Sequence, residues 1–480
     1  MNIYKNAALV FLLDIVLKAK TFITIPLLIH RYGTADYGVW TQITVFGTML
    51  VPFVILGTDM AFQRYLSGVE QVKRVQVFWG WVKAQLVIGF CICSLIMCLP
   101  FIYQSNYSGF LGSKEILLII CLVMFSSVIS NALRSFFNMQ VELRWLGIFN
   151  SCQAVLFIFV VLFGFYYEMQ ILNLLICVIL ADALISIIML IFILFKYGYA
   201  AGIDFDSFRK FLVFGLPYVP AQLLMLGMNY SDRFILPSYV GFSEIGKYAI
   251  VYQAGSMVLQ SLLGPFWVLF PSRLAELVNK GDISGATSLY SKSVEAMFFI
   301  AAPAAVSLIV LGPSMIYLYV GLFFIQSALI MTCIGVGYYF HLLSSFNDVL
   351  LGIHMKQKFT LLSYAAGLMV NLISNFLLIP SYGISGAAIA TFLGFLVQLL
   401  ITQLAARFYW GALRWEKLVY IKISLMSLSL YLLYELVLLF KLPDIIAVLS
   451  ALFFGSILYL SLALLLKLFT LQQLKGLLRV

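Results

Sequence analysis

The sequence predicts an all-α, polytopic membrane protein with about fourteen transmembrane helices, and three observations predict it. Of 480 residues, 63% are hydrophobic and only 10% are charged, against about 25% charged in an ordinary soluble chain. Apolar runs of roughly 20 residues, the length that crosses a bilayer as a helix, recur from end to end. No segment carries the alternating pattern of a membrane β-barrel, and only helices and closed barrels satisfy their backbone groups inside lipid.

The same composition limits the function. The net charge of +10 sits mostly in short loops on one face, so it marks topology and not a nucleic-acid surface. The seven cysteines all lie in apolar segments, without metal or disulfide spacing. No phosphate-loop signature is present, which argues against ATP hydrolysis by this chain.

The spans are read near 7–29, 38–57, 78–101, 115–137, 146–167, 171–195, 211–237, 247–270, 293–312, 325–350, 359–379, 384–406, 418–440 and 445–467. The first is interrupted by Asp14, Lys18 and Lys20 and has no small-residue cleavage site after it, so it reads as a retained helix and not a signal peptide. At ~100° per residue, Asp14, Lys18, Thr21, Thr24 and Lys20 form a polar arc of about 160°, too wide for a lipid-facing helix. Asp14 and Lys18 stand four apart with the acid first, the favoured order for a pair. This arc is either a charged lumen face or a structural ion pair.

A turn, Tyr32-Gly33-Thr34-Ala35-Asp36-Tyr37-Gly38-Val39-Trp40, leads into the second span. It reads as a compact non-helical turn at a membrane surface, with glycine freeing the backbone and the acid near the next helix start. In the fourth span, Arg134 lies about one turn from the inner end; it captures an anionic headgroup or snorkels. Asp182, in the middle of the sixth span, is too deep to snorkel, so it faces a lumen or a partner. In the seventh span, Pro217 and Pro220 bend the helix. Gln222 and Asn229 lie further along this span, and Asp232 and Arg233 follow toward its outer end. Arg233 attracts a phosphate or reaches the outer headgroups. In the tenth span, His341 and Asp348 read more as packed polar residues than as proton carriers.

The turn recurs in the second half of the chain. Gly33 matches Gly241, Asp36 matches Glu244, Gly38 matches Gly246 and Trp40 matches Tyr248. Asn131 and Met139 likewise match Asn347 and Met355, Asp14 matches Gln222, and Thr21 matches Asn229. A repeat of six spans has an even number of crossings, so its copies run parallel. The expected domains are therefore 1–205, a second six-helix lobe 206–410, and two added helices 411–480. With the N-terminus inside, nineteen lysines and arginines fall in inner loops and termini, while Arg31, Lys114, Lys247 and Lys441 fall outside. The positive-inside rule then places both termini in the cytoplasm.

The residues Ile25-Pro26-Leu27-Leu28, the turn 32–38, Gly57 with Gln63-Arg64-Tyr65, Phe214-Gly215-Leu216-Pro217, Asp232-Arg233 and 241–248 together carry a resemblance. They resemble the polysaccharide transporters of the multidrug/oligosaccharidyl-lipid/polysaccharide exporter superfamily, and within it the O-antigen flippases known as Wzx. The likeness covers roughly residues 1–410. It implies a V-shaped, MATE-like bundle of two lobes in the bacterial inner membrane. It also implies movement of an undecaprenyl-diphosphate-linked oligosaccharide from the inner to the outer leaflet by alternating access. By analogy with lipid II flippases, residues 411–480 would form a groove for the lipid tail.

Such cargo needs a hydrated cavity with cations and hydrogen-bond donors. The expected lining is Asp14, Lys18, Lys20, Thr21, Arg134, Asp182, Gln222, Asn229, Asp232 and Arg233, with a proton or sodium ion as the coupling ion and no other cofactor. Membrane lipids, a polysaccharide polymerase and a chain-length regulator are the expected partners; nucleic acid is not. A cation-coupled multidrug exporter of the same superfamily is the alternative, and the lysines beside Asp14 argue against it. A membrane-embedded enzyme would need a long outer loop with catalytic residues, and none is long enough.

Overall fold

The computed structural model describes residues 3–66, 70–102, 113–140, 142–199, 205–321, 327–353, 355–410, 417–440 and 442–468. The side chains of 3–19, 63–64, 99–102, 143, 205–207, 262–269, 272, 410 and 417 lie outside the described set. All regular structure among the described residues is helical, and twelve segments there are long and apolar enough to cross a membrane. The sequence reads fourteen. One reason for the difference is that the first segment, Lys20–Ile55, covers two expected spans. Another is that the eighth expected span lies in the 38-residue helix Phe242–Asn279, of which the side chains of 262–269 lie outside the described set and so outside the count.

The chain divides into two compact units, Met1–Arg233 with Gly241–Gly246, and Phe234–Val240 with Lys247–Val480. In the first unit, α1 (Ile3–Met49) is one helical element whose backbone leaves the helix only at Gly33, at φ 81° and ψ 177°. The expected surface turn is thus a single-residue break with helix on both sides. Glycine serves there because an L side chain rarely adopts positive φ. The helix continues through α2 (Val51–Ile55), a left-handed pair at Leu56 and Gly57, and α3 (Thr58–Leu66). Around these pack α4 (Gln71–Ile102), α5 (Lys114–Met139), α6 (Leu143–Tyr166) and α7 (Ile171–Tyr197).

Aromatic burial holds this unit together. Phe62, Phe78, Trp81, Phe136, Phe137, Phe149 and Phe211 form its core, with Phe62 and Trp81 stacked at 4.5 Å. Trp81 is buried, and its indole N–H donates to Thr58 Oγ1 at 2.8 Å, as a buried Trp requires.

The seventh expected span is broken where its prolines fall. It runs as α8 (Phe205–Gly215), a 3-10 turn at Leu216–Tyr218, α9 (Val219–Tyr230) and the short α10 (Asp232–Ile235). Glycines let it approach the rest of the first unit. A Cβ on Gly57 would overlap the Gly215 carbonyl oxygen, and one on Gly215 would lie 2.6 Å from the Leu56 carbonyl oxygen.

The recurring turns also meet within this unit. A Cβ on Gly38 would overlap the Phe242 carbonyl oxygen, and one on Gly246 would overlap that of Thr34. The Thr34 and Ser243 hydroxyls hydrogen-bond at 2.8 Å beside this crossing. Gly241 has open space around its α-carbon and is not among the glycines at positive φ. The repeated glycines thus differ in use: Gly33 turns the backbone, while Gly38 and Gly246 permit close approach.

The second unit contains α11 (Phe242–Asn279) from Lys247 onward, α12 (Ile283–Val320), α13 (Ser327–Ile353), α14 (Gln357–Tyr382), α15 (Ile384–Trp410), α16 (Lys417–Leu439) and α17 (Asp444–Leu465). α13, α14 and α15 pack closely; a Cβ on Gly394 would lie 3.0 Å from the Gly367 carbonyl oxygen. α16 and α17 pack on α12, where Tyr459 Oη donates to the Phe299 carbonyl at 2.8 Å. Lys422 Nζ donates to the Leu466 carbonyl at 2.7 Å, a cation at a helix C-terminus where the dipole favours it.

Candidate functional site

Inside the first unit, α1, α5, α6 and α7 bring charged residues together at one place. Lys20 on α1 is half-buried, with Nζ 4.2 Å from the centroid of the Phe157 ring on α6. Asp182 on α7 and Arg134 on α5 lie within electrostatic range of Lys20 and of each other. Asp182 is half-buried and Arg134 is exposed. Two cations and one carboxylate leave one positive charge in excess. The ring face of Phe157 adds an attraction of about 0.5–2 kcal/mol for the ammonium.

A polar strip stands behind these charges. The Ser186 hydroxyl donates to the Asp182 carbonyl at 2.8 Å and lies 3.4 Å from the Ser130 hydroxyl. Gln153 Nε2 donates to Ser130 Oγ at 3.2 Å. Ser130, Gln153 and Ser186 are all buried. Sequence reasoning missed these three and Phe157. The signal for two of them was spacing: Ser130 precedes Arg134 by four residues and Ser186 follows Asp182 by four, so each shares its helix face with the charge.

Of the other expected lining residues, Thr21 neighbours Lys20 on α1, while Gln222, Asn229, Asp232 and Arg233 lie on α9 and α10. The side chains of Asp14 and Lys18 lie outside the described residues, although their backbone is part of α1. The Thr21 carbonyl accepts from Thr24 Oγ1 at 3.3 Å, and that hydroxyl also donates to the Lys20 carbonyl at 2.9 Å. The Thr24 hydroxyl is therefore used within its own helix. Gln222 and Asn229 are half-buried on α9, and Asn229 Nδ2 donates to the Met225 carbonyl at 2.9 Å.

Asp232 and Arg233 are enclosed, at 2% and 4% exposure. Arg233 Nε lies 3.9 Å from Asp232 Oδ1, and Nη1 donates to the Ile245 carbonyl at 3.5 Å. Its own carbonyl accepts from Gln42 Nε2, and Tyr37 and Tyr230 lie within range of its charge. In this structure the guanidinium is tied into the crossing of the repeated turns.

Residues 3–276 match the family described as polysaccharide biosynthesis protein. An uncharacterized membrane protein of Methanocaldococcus jannaschii is 24% identical over 396 residues, 76% of each chain. Among solved structures, the lipid II flippase MurJ in an inward closed conformation is similar at a TM-score of 0.71 and 16% identity, over 94% of this chain and 98% of that one. A multidrug resistance MATE family transporter of the MOP superfamily, inward-facing, is similar at 0.61 and 12% identity, over 86% and 95%. A MOP superfamily transporter from Pyrococcus furiosus, with a binding pocket described as reversed in polarity, is similar at 0.60 and 13% identity, over 86% and 97%. At these identities the structural likeness shows a shared fold.

Proposed function

The chain belongs to the polysaccharide biosynthesis protein family, and from that premise we propose that it is a flippase for lipid-linked oligosaccharide. Its cargo is an undecaprenyl-diphosphate-linked repeat unit, carried from the cytoplasmic to the periplasmic leaflet of a bacterial inner membrane by alternating access. The pathway it serves is O-antigen or related surface polysaccharide synthesis. Both termini lie in the cytoplasm, and a polymerase and a chain-length regulator work beside it.

The observation that carries this reading is the cluster of Lys20, Arg134 and Asp182. A diphosphate is a small, doubly charged anion. Guanidinium and ammonium groups make charge-assisted hydrogen bonds to its oxygens, and the planar guanidinium makes two at once. Arg134 is exposed, so its fork is accessible to a headgroup. Asp182 balances part of the charge when no headgroup is bound, which limits the cost of holding two cations within an apolar span. An organic cation, the cargo of the alternative drug exporter, would meet the excess positive charge and be repelled.

The test uses cells that lack this protein and any redundant flippase but keep the glycan assembly enzymes. Wild type restores surface glycan and clears the accumulated lipid-linked units. Lys20→Ala and Arg134→Ala each reduce that clearance by roughly tenfold at normal protein level, the equivalent of about one charge-assisted hydrogen bond. Unchanged lipid-linked pools with and without the protein would overturn the reading.

A further inference from the structure

The first unit also brings two thiols together where α4 packs on α5. Cys93 on α4 and Cys121 on α5 are buried, at 9% and 4% exposure. Their side chains lie within hydrogen-bond reach of each other. Val54 of α2 and Met124 and Val128 of α5 complete an apolar cluster around them. The two cysteines stand 28 positions apart, so spacing along the chain hides the pair. Arg134 lies thirteen residues further along α5, about 20 Å at 1.5 Å per residue, so the pair is separate from the Lys20 cluster.

The packing of the two helices explains the meeting. Gly89 lets α4 approach α5: a Cβ there would lie 3.0 Å from the Phe125 ring and 3.5 Å from the end of the Met124 side chain. Four residues on from Gly89 is Cys93, and four residues back from Phe125 is Cys121. Between antiparallel helices those opposite steps reach one level, so the thiols face each other about one turn, or ~5 Å, from the glycine contact. A disulfide needs Cα atoms within about 7 Å, and a small residue at a helix crossing permits that approach. Cys91 and Cys98 on the same helix, and Cys152 on α6, are instead exposed. Ser94 and Leu95, next to Cys93, are exposed as well, so the seam between the helices has an open edge.

We propose that Cys93 and Cys121 are a redox-active dithiol, a modification site at which an intramolecular disulfide closes and staples α4 to α5. This structure holds the reduced form, with both thiols free. The oxidant is a small apolar disulfide, the kind of reagent that enters a seam walled by valine and methionine. The Cys93 thiol loses its proton and attacks one sulfur of the reagent, whose S–S bond breaks and releases one thiolate. The Cys121 thiol then loses its proton and attacks the Cys93 sulfur, forming the Cys93–Cys121 bond and releasing the second thiolate. Two electrons pass from the pair to the reagent, which leaves as two thiols with the two protons. A dithiol reductant reverses both steps. Cys93 stands nine residues before the end of α4 and Cys121 seven after the start of α5. In the orientation proposed above that end is the outer one, where disulfides persist. The chemistry of the pair depends neither on that orientation nor on the cargo.

The experiment treats the purified full-length protein in detergent with dithiodipyridine, a small uncharged aromatic disulfide. A second protein combines Cys91→Ala, Cys98→Ala, Cys152→Ala, Cys177→Ala and Cys333→Ala, leaving the pair alone. Each chain of this protein is expected to release two thiopyridone molecules, retain no pyridyl group and lose two hydrogens in intact mass. Peptide mapping finds Cys93 joined to Cys121, and dithiothreitol restores the starting mass. Adding Cys121→Ser stops closure, so one thiopyridone is released and one pyridyl group stays on Cys93. Wild type yields the same Cys93–Cys121 peptide, which decides the matter if the substituted protein does not fold. Two retained pyridyl groups, no reaction of the pair in the folded protein, or a link from either cysteine to Cys91, to Cys98 or to a second chain in place of Cys93–Cys121 overturns the proposal.

Discussion

Lys20 shares its surroundings with two other charges, so changing any one of the three alters the rest. With Asp182 and Arg134 in range and Phe157 beneath its ammonium, it stands within a coupled group. Asp182→Asn leaves two cations without their carboxylate. Full burial would set that cost at roughly 3–5 kcal/mol; because Arg134 is exposed, about 1–2 kcal/mol is expected. A double-mutant cycle between Lys20→Ala and Asp182→Asn measures the coupling, expected near 1 kcal/mol. Arg233 offers a contrast. It is nearly enclosed at 4% exposure, and Arg233→Ala is expected to lower stability by roughly 3 kcal/mol or more. Arg134→Ala leaves stability within about 0.5 kcal/mol while impairing transport. Thermal unfolding in detergent, read beside cell-surface glycan, separates the two arginines. The charges themselves were legible, because an ionisable residue in an apolar run always needs a reason. Their pairing was not: a helical wheel of α1 gives the width of its polar arc and says nothing of Asp182 on α7. For the same reason Arg233 read equally as a phosphate ligand or a headgroup anchor.

The helices followed the apolar runs closely, and the break of the seventh expected span fell where Pro217 and Pro220 stand. The glycines were harder to read. One-letter recurrence pairs Gly33 with Gly241 and Gly38 with Gly246, but sequence does not say which glycine turns the chain and which lets another backbone approach. The structure separates these uses, and substitutions should follow. Gly38→Ala and Gly246→Ala each drive a methyl into a backbone carbonyl, which cannot move aside as a side chain does, so each costs about 1–3 kcal/mol. Gly33→Ala meets no neighbour but must adopt φ near 81°, a cost of about 1–2 kcal/mol. Gly241→Ala has open space and no left-handed backbone, and is expected within about 0.5 kcal/mol of wild type. Unfolding midpoints of the four variants check this order; equal losses at Gly38 and Gly241 would contradict the close-approach assignment.

At the scale of the molecule, composition alone established a multi-pass helical membrane protein, and short motifs in the right order pointed to the family that residues 3–276 match. What remained hidden follows from physics as well. The compact unit Met1–Arg233 with Gly241–Gly246 takes in residues 206–233, which the repeat groups with the second half; grouping by contact and grouping by repeat are different divisions of one chain. The cargo is hidden because polar groups gathered from four helices leave no contiguous motif. The proposed activity is movement of a lipid-linked diphosphate oligosaccharide across the bilayer. The most direct measurement reconstitutes the full-length protein into vesicles carrying that lipid in one leaflet and follows its arrival in the other with a membrane-impermeant sugar-cleaving enzyme. The account predicts rapid arrival with wild type and a rate lower by roughly tenfold with Lys20→Ala. Arrival no faster than in protein-free vesicles, with the folded protein present and both a sodium and a proton gradient supplied, would contradict it.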